Sequence, residues 1–245
     1  ESQHMIAFRP FLDEAWTKKS GSLGSNPGGV YVDGDTAEKR YVKFYPDEQH
    51  ARAEVASGNV YRLLGVPTLN PQVHEDGNKV GVSTKWDENL RRHDGDYGQW
   101  NDDAKTSLAK HYVASVVTGN WDSTGLDHTN LQHNHVGQLV SVDNGAGFGF
   151  SAQGRKVPFK SDGPDAEVLR RPGHSLHKVS AAAGSSAKAF GELDDHHIRQ
   201  ALSEMPHLEH REVFEALRSA GVEDPKAKAH VVVDRLNSLR SHHTA

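Results

Sequence analysis

The spacing of apolar positions changes period along the chain. Val30-Tyr31-Val32 and Arg40–Tyr45 are short runs rich in β-branched and aromatic residues, separated by Asp33-Gly34-Asp35, and predict a hairpin. After Pro46 the period lengthens. Ala53, Ala56, Val60 and Leu63 recur at helical spacing, predicting a helix over 47–64 that Gly65 stops. Asn70–His74 and Lys79–Thr84 flank an Asp76-Gly77 turn and predict two more strands. A polar connector over 87–103 precedes a helix at Ala104–Thr118, with Leu108, Tyr112 and Val116 on one face and Gly119 at its end. A strand is expected at Gln138–Val142, then helices at His196–Met205, Glu209–Ala220 and Pro225–Leu239, divided by Pro206 and Gly221. Phe8–Trp16 is a short helix or strand, Ser151–Asp165 an irregular segment, and Ala181–Ala189 a weak helix or loop. The fold class expected is α+β: a β-rich first lobe with one helix over 6–86 and a mainly helical second lobe over 87–245.

Composition narrows the function classes. No apolar run approaches the roughly 18 residues of a membrane span. The N-terminus lacks the basic-then-apolar pattern of a secretory signal, and Glu1–Met5 reads as a cloning remnant before a natural start near Met5. The absence of cysteine removes disulfides, thiolate zinc sites and cysteine nucleophiles, and fits a cytoplasmic protein. A net charge of −5 argues against general nucleic-acid binding. The 17 histidines invite a metal reading, but neither His128, His133 and His135 nor the His207/His210 pair has zinc-protease or zinc-finger spacing. They are expected as solvated side chains.

The chemistry concentrates in four places. Gly21–Gly29 is a turn dense in glycine, whose backbone N–H groups can approach phosphates. It has neither a Walker A pattern nor a strand-to-helix dinucleotide fingerprint. Lys43 stands in a strand, and alternation directs it opposite Val42 and Phe44. A helix carboxylate can steady it, with Glu54 the natural partner and Glu48 the rival. Asp122 and Asp127 compete for the group that orients, and accepts a proton from, a hydroxyl nucleophile. Asn130 offers a neutral oxygen and Asp143 a charged one at a strand end, a set suited to magnesium.

Gly24-Ser25-Asn26-Pro27-Gly28-Gly29, Tyr41-Val42-Lys43-Phe44-Tyr45, Gly119-Asn120-Trp121-Asp122 and Val142-Asp143-Asn144-Gly145 together resemble a bacterial and phage-associated protein-kinase-like family. Its wider relatives are the HipA-type kinases and the phosphatidylinositol 3-/4-kinases. The likeness covers roughly residues 20–153. It implies a bilobal kinase fold with Mg2+ and ATP in the cleft, with Gly24, Ser25, Asn26, Gly28, Gly29 and Lys43 at the phosphates and Glu54 supporting the lysine. Backbone near Val82, Ser83 and Lys85 would meet adenine, Asn130 and Asp143 would hold metal, and Asp122 would be the catalytic acid of an Asn-x-Asp motif. The chain departs from the pattern at one point. The kinase loop H-R-D-x-x-x-x-N puts four residues between acid and amide, whereas seven lie between Asp122 and Asn130 and two between Asp127 and Asn130. Either Ser123–Leu126 is an insertion or the roles are shuffled.

The expected activity is therefore ATP- and Mg2+-dependent phosphoryl transfer to a hydroxyl, on a protein rather than a lipid. Adenylyl transfer by the same fold and a catalytically silent nucleotide-binding module are the alternatives, and a bare helical scaffold is the third. A fusion or effector context, including a secreted or phage-delivered domain, goes with the resemblance.

Overall fold

The computed structural model describes residues 16–24, 26–161, 169–171 and 181–244. Ser25, most of Phe8–Trp16 and residues 162–165 of the segment expected to be irregular lie outside them. Among the described residues the protein is mixed α and β. Strands β1 (Trp16–Lys18), β2 (Gly28–Asp33), β3 (Lys39–Tyr45), β4 (Gln72–Asp76) and β5 (Lys79–Lys85) form one antiparallel sheet in the order β1-β2-β3-β5-β4. Helix α1 (Glu48–Leu63) packs on β3, β4 and β5. The remaining helices come later: α2 (Asp102–Thr118), α3 (Ala181–Phe190), α4 (Asp195–Glu204), α5 (His210–Ala220) and α6 (Pro225–Thr244).

Helix α1 starts where Asp47 accepts a hydrogen bond from the Gln49 amide, at 2.8 Å, satisfying one of the free N–H groups of its first turn. It is buried on more sides than the apolar arc suggests. His50, Glu54 and Ser57 are covered along with Ala53, Ala56 and Val60, whereas Leu63 is only half-buried. The reason is that α1 lies between the sheet and two later helices, α2 and α5. Helix α2 is capped by Asn101, whose side chain accepts from the Ala104 amide at 2.9 Å, and ends at Gly119 in the left-handed conformation, φ 69°. It is the axis on which α3, α4 and α6 pack.

The structure corrects or sharpens the expectations at four points. Leu131–His133 forms a strand, β6, that pairs with β7 (Leu139–Ser141) as a second small sheet. At three residues each, both strands are too short to give a period in the sequence. Ala181–Phe190 is a regular helix, because its run of small residues packs closely on α2. Helix α6 runs on past Leu239 to Thr244, since nothing after Leu239 is a glycine or proline that would stop it. Part of the segment expected to be irregular is also ordered, with Phe150 bridging Lys156 and the Val157 amide donating to Gly149 at 2.8 Å.

Strand β7 is tied to its surroundings on two sides. Ser141 exchanges backbone hydrogen bonds with Pro67 and Leu69, in the link between α1 and β4. The buried His111 ring of α2 lies 3.2 Å from the Leu139 carbonyl through Nε2. From α6, Arg235 donates to the carbonyls of Val116 (2.8 Å) and Lys160 (2.6 Å), with its guanidinium over the Phe159 ring at 4.6 Å. One cation thus joins the end of α2 to the chain that follows β7.

Gly28 and Gly29 of β2 are required by close approach. A Cβ on Gly28 would stand 2.1 Å from the Val42 carbonyl oxygen, and one on Gly29 would stand 2.2 Å from the Ser20 carbonyl oxygen. Both contacts are to backbone, which cannot swing away. At Gly24 nothing lies within 4 Å of the added carbon. Gly28→Ala is therefore expected to cost about 1–3 kcal/mol in urea unfolding, and Gly24→Ala to stay within about 0.5 kcal/mol of the parent.

Candidate functional site

A cavity of about 740 Å³ opens between the five-stranded sheet and the loops around β6 and β7. The alternation of β3 puts Tyr41, Lys43 and Tyr45 on its wall, joined from β5 by Val82 and Thr84. Opposite them stand Asp122, Asp127, Asn130 and Asp143.

Lys43 is 7% exposed and paired twice. Its ammonium lies 2.8 Å from Glu54 Oε1 and 2.9 Å from Asp143 Oδ2. Burial alone would push the lysine towards neutrality, but the two carboxylates outweigh it and hold its pKa well above the ordinary value. Glu54 is itself 1% exposed, and desolvation pushes its pKa up against the pull of Lys43. Its second oxygen accepts the Tyr45 hydroxyl. Glu48, the rival partner, instead pairs with Arg52 one turn along the helix. Off the apolar arc, Glu54 could be buried only because it meets a cation from the neighbouring strand.

Asp143 follows β7 directly. Oδ1 accepts the Gly145 amide at 2.9 Å, and 41% of the side chain remains accessible. Burial opposes its ionisation, but Lys43 more than compensates and holds the carboxyl below its ordinary pKa. Asn144 closes the turn by accepting from Ser141 Oγ (2.7 Å) and donating to Thr68 Oγ1 (3.0 Å). Gly145 allows the close fit, since a Cβ there would lie 2.8 Å from the Tyr45 hydroxyl. On the other side, His50 Nε2 lies 2.6 Å from the Gly145 carbonyl, with its ring stacked on Phe150 at 4.8 Å. A carbonyl only accepts, so Nε2 carries the hydrogen, and burial keeps the ring's pKa low.

Asn130 holds two strands of the loop together. Its carbonyl accepts the Val142 amide at 2.9 Å and its side-chain NH2 donates to the Asp122 carbonyl at 2.8 Å, which leaves Oδ1 as the atom suited to a hard cation. Asp122 is half-buried, and its Oδ1 is buried with no hydrogen-bond partner in the protein. Desolvation, reinforced by the nearby charge of Asp143, pushes its pKa up to about 7. Asp127 is exposed. Asn120 does not line the cavity. It is buried beneath it, accepting the Asp122 amide at 3.2 Å and lying 3.4 Å from the Tyr61 hydroxyl, which in turn meets Ser115 at 2.9 Å.

The glycine-rich turn divides. Gly24 and Asn26 line the cavity, whereas Gly28 and Gly29 belong to β2 and serve the close packing described above. Val82 and Lys85 line it, but Ser83 does not: it points to the other face of β5 and accepts from Arg40 Nε at 2.6 Å. Tyr45 and Asn120 stood in the quoted motifs without a structural role assigned to them, and His50, Tyr61 and Ser115 were not picked out from the sequence. The usable signal was the helical spacing of His50 and Glu54, four apart and so on one face.

The histidines seen as a cluster are partly enclosed. His128, at φ 56°, places Nδ1 3.0 Å from the Tyr97 hydroxyl, and His133 packs against His93 and Trp100. His207 lies 2.8 Å from Arg240. Among the described residues Asp102, His196 and His197 bring potential ligand atoms within 4.8 Å of one another. His197 Nδ1 accepts the Asp194 amide at 3.2 Å, however, so Nε2 bears the hydrogen and faces Asp102 Oδ1 at 3.3 Å. That tautomer has no lone pair to give a metal.

The raised pKa of Asp122 has a signed consequence. The folded protein holds this proton between about pH 4 and 7 while the unfolded chain releases it, so stability falls as pH rises through that window. Asp122→Asn is expected to stabilise the protein by about 2–4 kcal/mol at pH 8 and to have little effect at pH 4, read from urea unfolding at the two pH values.

No known family profile matches the chain, and no curated protein matches it. Among solved structures it is similar to the Helicobacter pylori proinflammatory kinase CtkA, at 14% identity and a TM-score of 0.47, covering 91% of this chain and 96% of that one.

Proposed function

We propose that the protein is an ATP- and Mg2+-dependent phosphotransferase of kinase-like, bilobal fold that moves a γ-phosphoryl group to a hydroxyl on a protein. Residues 6–86 would form one lobe and 87–245 the other. The observation that carries this reading is a buried ammonium gripped by Glu54 and Asp143, facing Asp122 and Asn130 across one cavity. Such an assembly puts positive charge and hard oxygen donors where a triphosphate and its cation need them.

The donor set fits the ion. Asp143 presents an accessible carboxylate, Asn130 a carboxamide oxygen, and Asp122 a buried oxygen lacking any hydrogen-bond partner in the protein. Asp143 and Asn130 would hold Mg2+, which when bound supplies charge neutralisation on the phosphate oxygens. Lys43 binds phosphate oxygens through the face its carboxylates leave free. Gly24 and Asn26 cover the phosphates with backbone; Val82 and Ser83 are paired on both sides within the sheet, so the edge for adenine falls to Thr84 and Lys85, beyond the last pairing with β4. Asp122 orients the acceptor hydroxyl and takes its proton, while the oxygen so freed forms the new bond to phosphorus and the bond to the leaving oxygen breaks. Asp127, exposed on the cavity wall, is given the lesser role.

Among the described residues no helix is long and apolar enough to cross a membrane.

The test is thermal unfolding with Mg-ATP followed by transfer of radiolabel. Saturating Mg-ATP at about 100 times Kd stabilises the protein by about 2.7 kcal/mol, and Asp143→Ala removes the effect. Label enters protein from γ-labelled but not α-labelled ATP. Asp122→Ala still binds nucleotide but loses about a hundredfold or more in transfer, and Asp127→Ala loses less. Label from the α position would mean adenylyl transfer, binding without turnover a silent module, and no binding at all would defeat the reading.

A further inference from the structure

The stretch Ser123–Leu126 lengthens the interval between Asp122 and Asn130, and it is not a slack insertion. Ser185 Oγ of α3 donates to the Gly125 carbonyl at 2.8 Å, and Ser186 Oγ donates to the Trp121 carbonyl at 3.1 Å. Thr124 Oγ1 lies 3.3 Å from each of these serine hydroxyls. The Asn130 amide closes the loop on Thr124 at 3.0 Å, and Ser123 Oγ is buried 2.7 Å from Ser115 of α2. Gly125 adopts φ 75°, and a Cβ there would press on Thr129 and Asn130 at 2.9–3.0 Å.

Yet this tethered loop carries Leu126 outwards, 64% exposed on the cavity wall. Large apolar side chains with such exposure are few among the described residues: Leu23, Leu126 and Val136. Leu126 leaves most of its surface in water although hydrogen bonds, not this side chain, hold the loop that carries it. It follows the proposed proton acceptor by four positions and precedes the exposed carboxylate of Asp127, which lines the same cavity. Lys43 and Asp143 stand on the phosphate side of that acid. Leu126 and Asp127 therefore border the route by which an acceptor hydroxyl reaches Asp122.

Resting on the phosphotransferase reading, we propose that Leu126 is a specificity-determining contact for the acceptor. The acceptor is a polypeptide segment carrying a large apolar side chain within one or two residues of the reacting hydroxyl, and a basic side chain that meets Asp127. The apolar side chain covers Leu126 on docking, and the opposite charges bring the segment into register. The loop's hydrogen bonds to Ser185 and Ser186 fix the contact beforehand, so binding does not have to order it.

The experiment uses the full chain, Mg2+, γ-labelled ATP and two serine peptides of equal length, both with arginine flanking the serine, one with leucine beside it and one with alanine in the leucine's place. The parent is expected to favour the first by about tenfold or more in kcat/KM. Leu126→Ala brings that ratio to within about twofold, Leu126→Met retains it, and both variants keep the thermal shift with Mg-ATP. An equal loss on both peptides in Leu126→Ala, an unchanged ratio, or no label on either peptide from a parent that is stabilised by Mg-ATP overturns the proposal. A parent that shows no Mg-ATP shift brings down the phosphotransferase reading first, and this inference with it.

Discussion

The arrangement depends on a lysine kept charged where there is almost no water. An isolated ammonium in that position would lose its proton, and an isolated Glu54 would gain one. Held between Glu54 and Asp143, the lysine keeps its charge, and it in turn lowers the pKa of Asp143 and pulls against the desolvation that raises that of Glu54. The constraint reaches far along the chain, because the three come from a strand, a helix and the end of a second small sheet. Removing Lys43 leaves two carboxylates without their cation, one of them almost fully buried, a far larger penalty than the loss of a surface pair, whereas removing either carboxylate leaves the ammonium one partner.

Around that group the protein spends its polar side chains on holding backbone. Asn144 secures the turn after Asp143, Asn130 joins the two walls of the loop, and Asn120 sits beneath Asp122 with Tyr61 and Ser115. These amides offer donor and acceptor in one small planar group, which suits them to irregular chain that lacks ladder partners. Asp122 is the exception. One of its oxygens is left without a protein partner, so the site carries an unmet demand for a proton or a cation.

Much of this was legible in the sequence. The strands around Lys43, helix α1 and helix α2 announce themselves by period and by end signals such as Pro46, Gly65 and Gly119. The meeting of Lys43, Glu54 and Asp143 could be anticipated from residue type and order, though the arc drawn through Ala53 and Val60 argued against Glu54. Hydrophobic period ranks a carboxylate as outward-facing and cannot foresee a cation waiting across the interface. For the same reason His50 passed unnoticed: its function lies in one hydrogen bond to Gly145, a residue distant in sequence. Glycines misled in the other direction. Gly28 and Gly29 looked like phosphate loop, whereas backbone crowding in the sheet accounts for them. The β6–β7 pair was too short to show a period at all.

Helix α1 touches the charged group at two heights. One turn carries Glu54 to Lys43, and the preceding turn carries His50 to the chain just beyond Asp143. Because a helix moves as a rod, these two grips cannot be released separately. Anything that slid or rotated this rod by a fraction of its pitch would loosen the ammonium and the turn after Asp143 in the same stroke. The face of α1 that packs on α5 therefore bears on both grips at once.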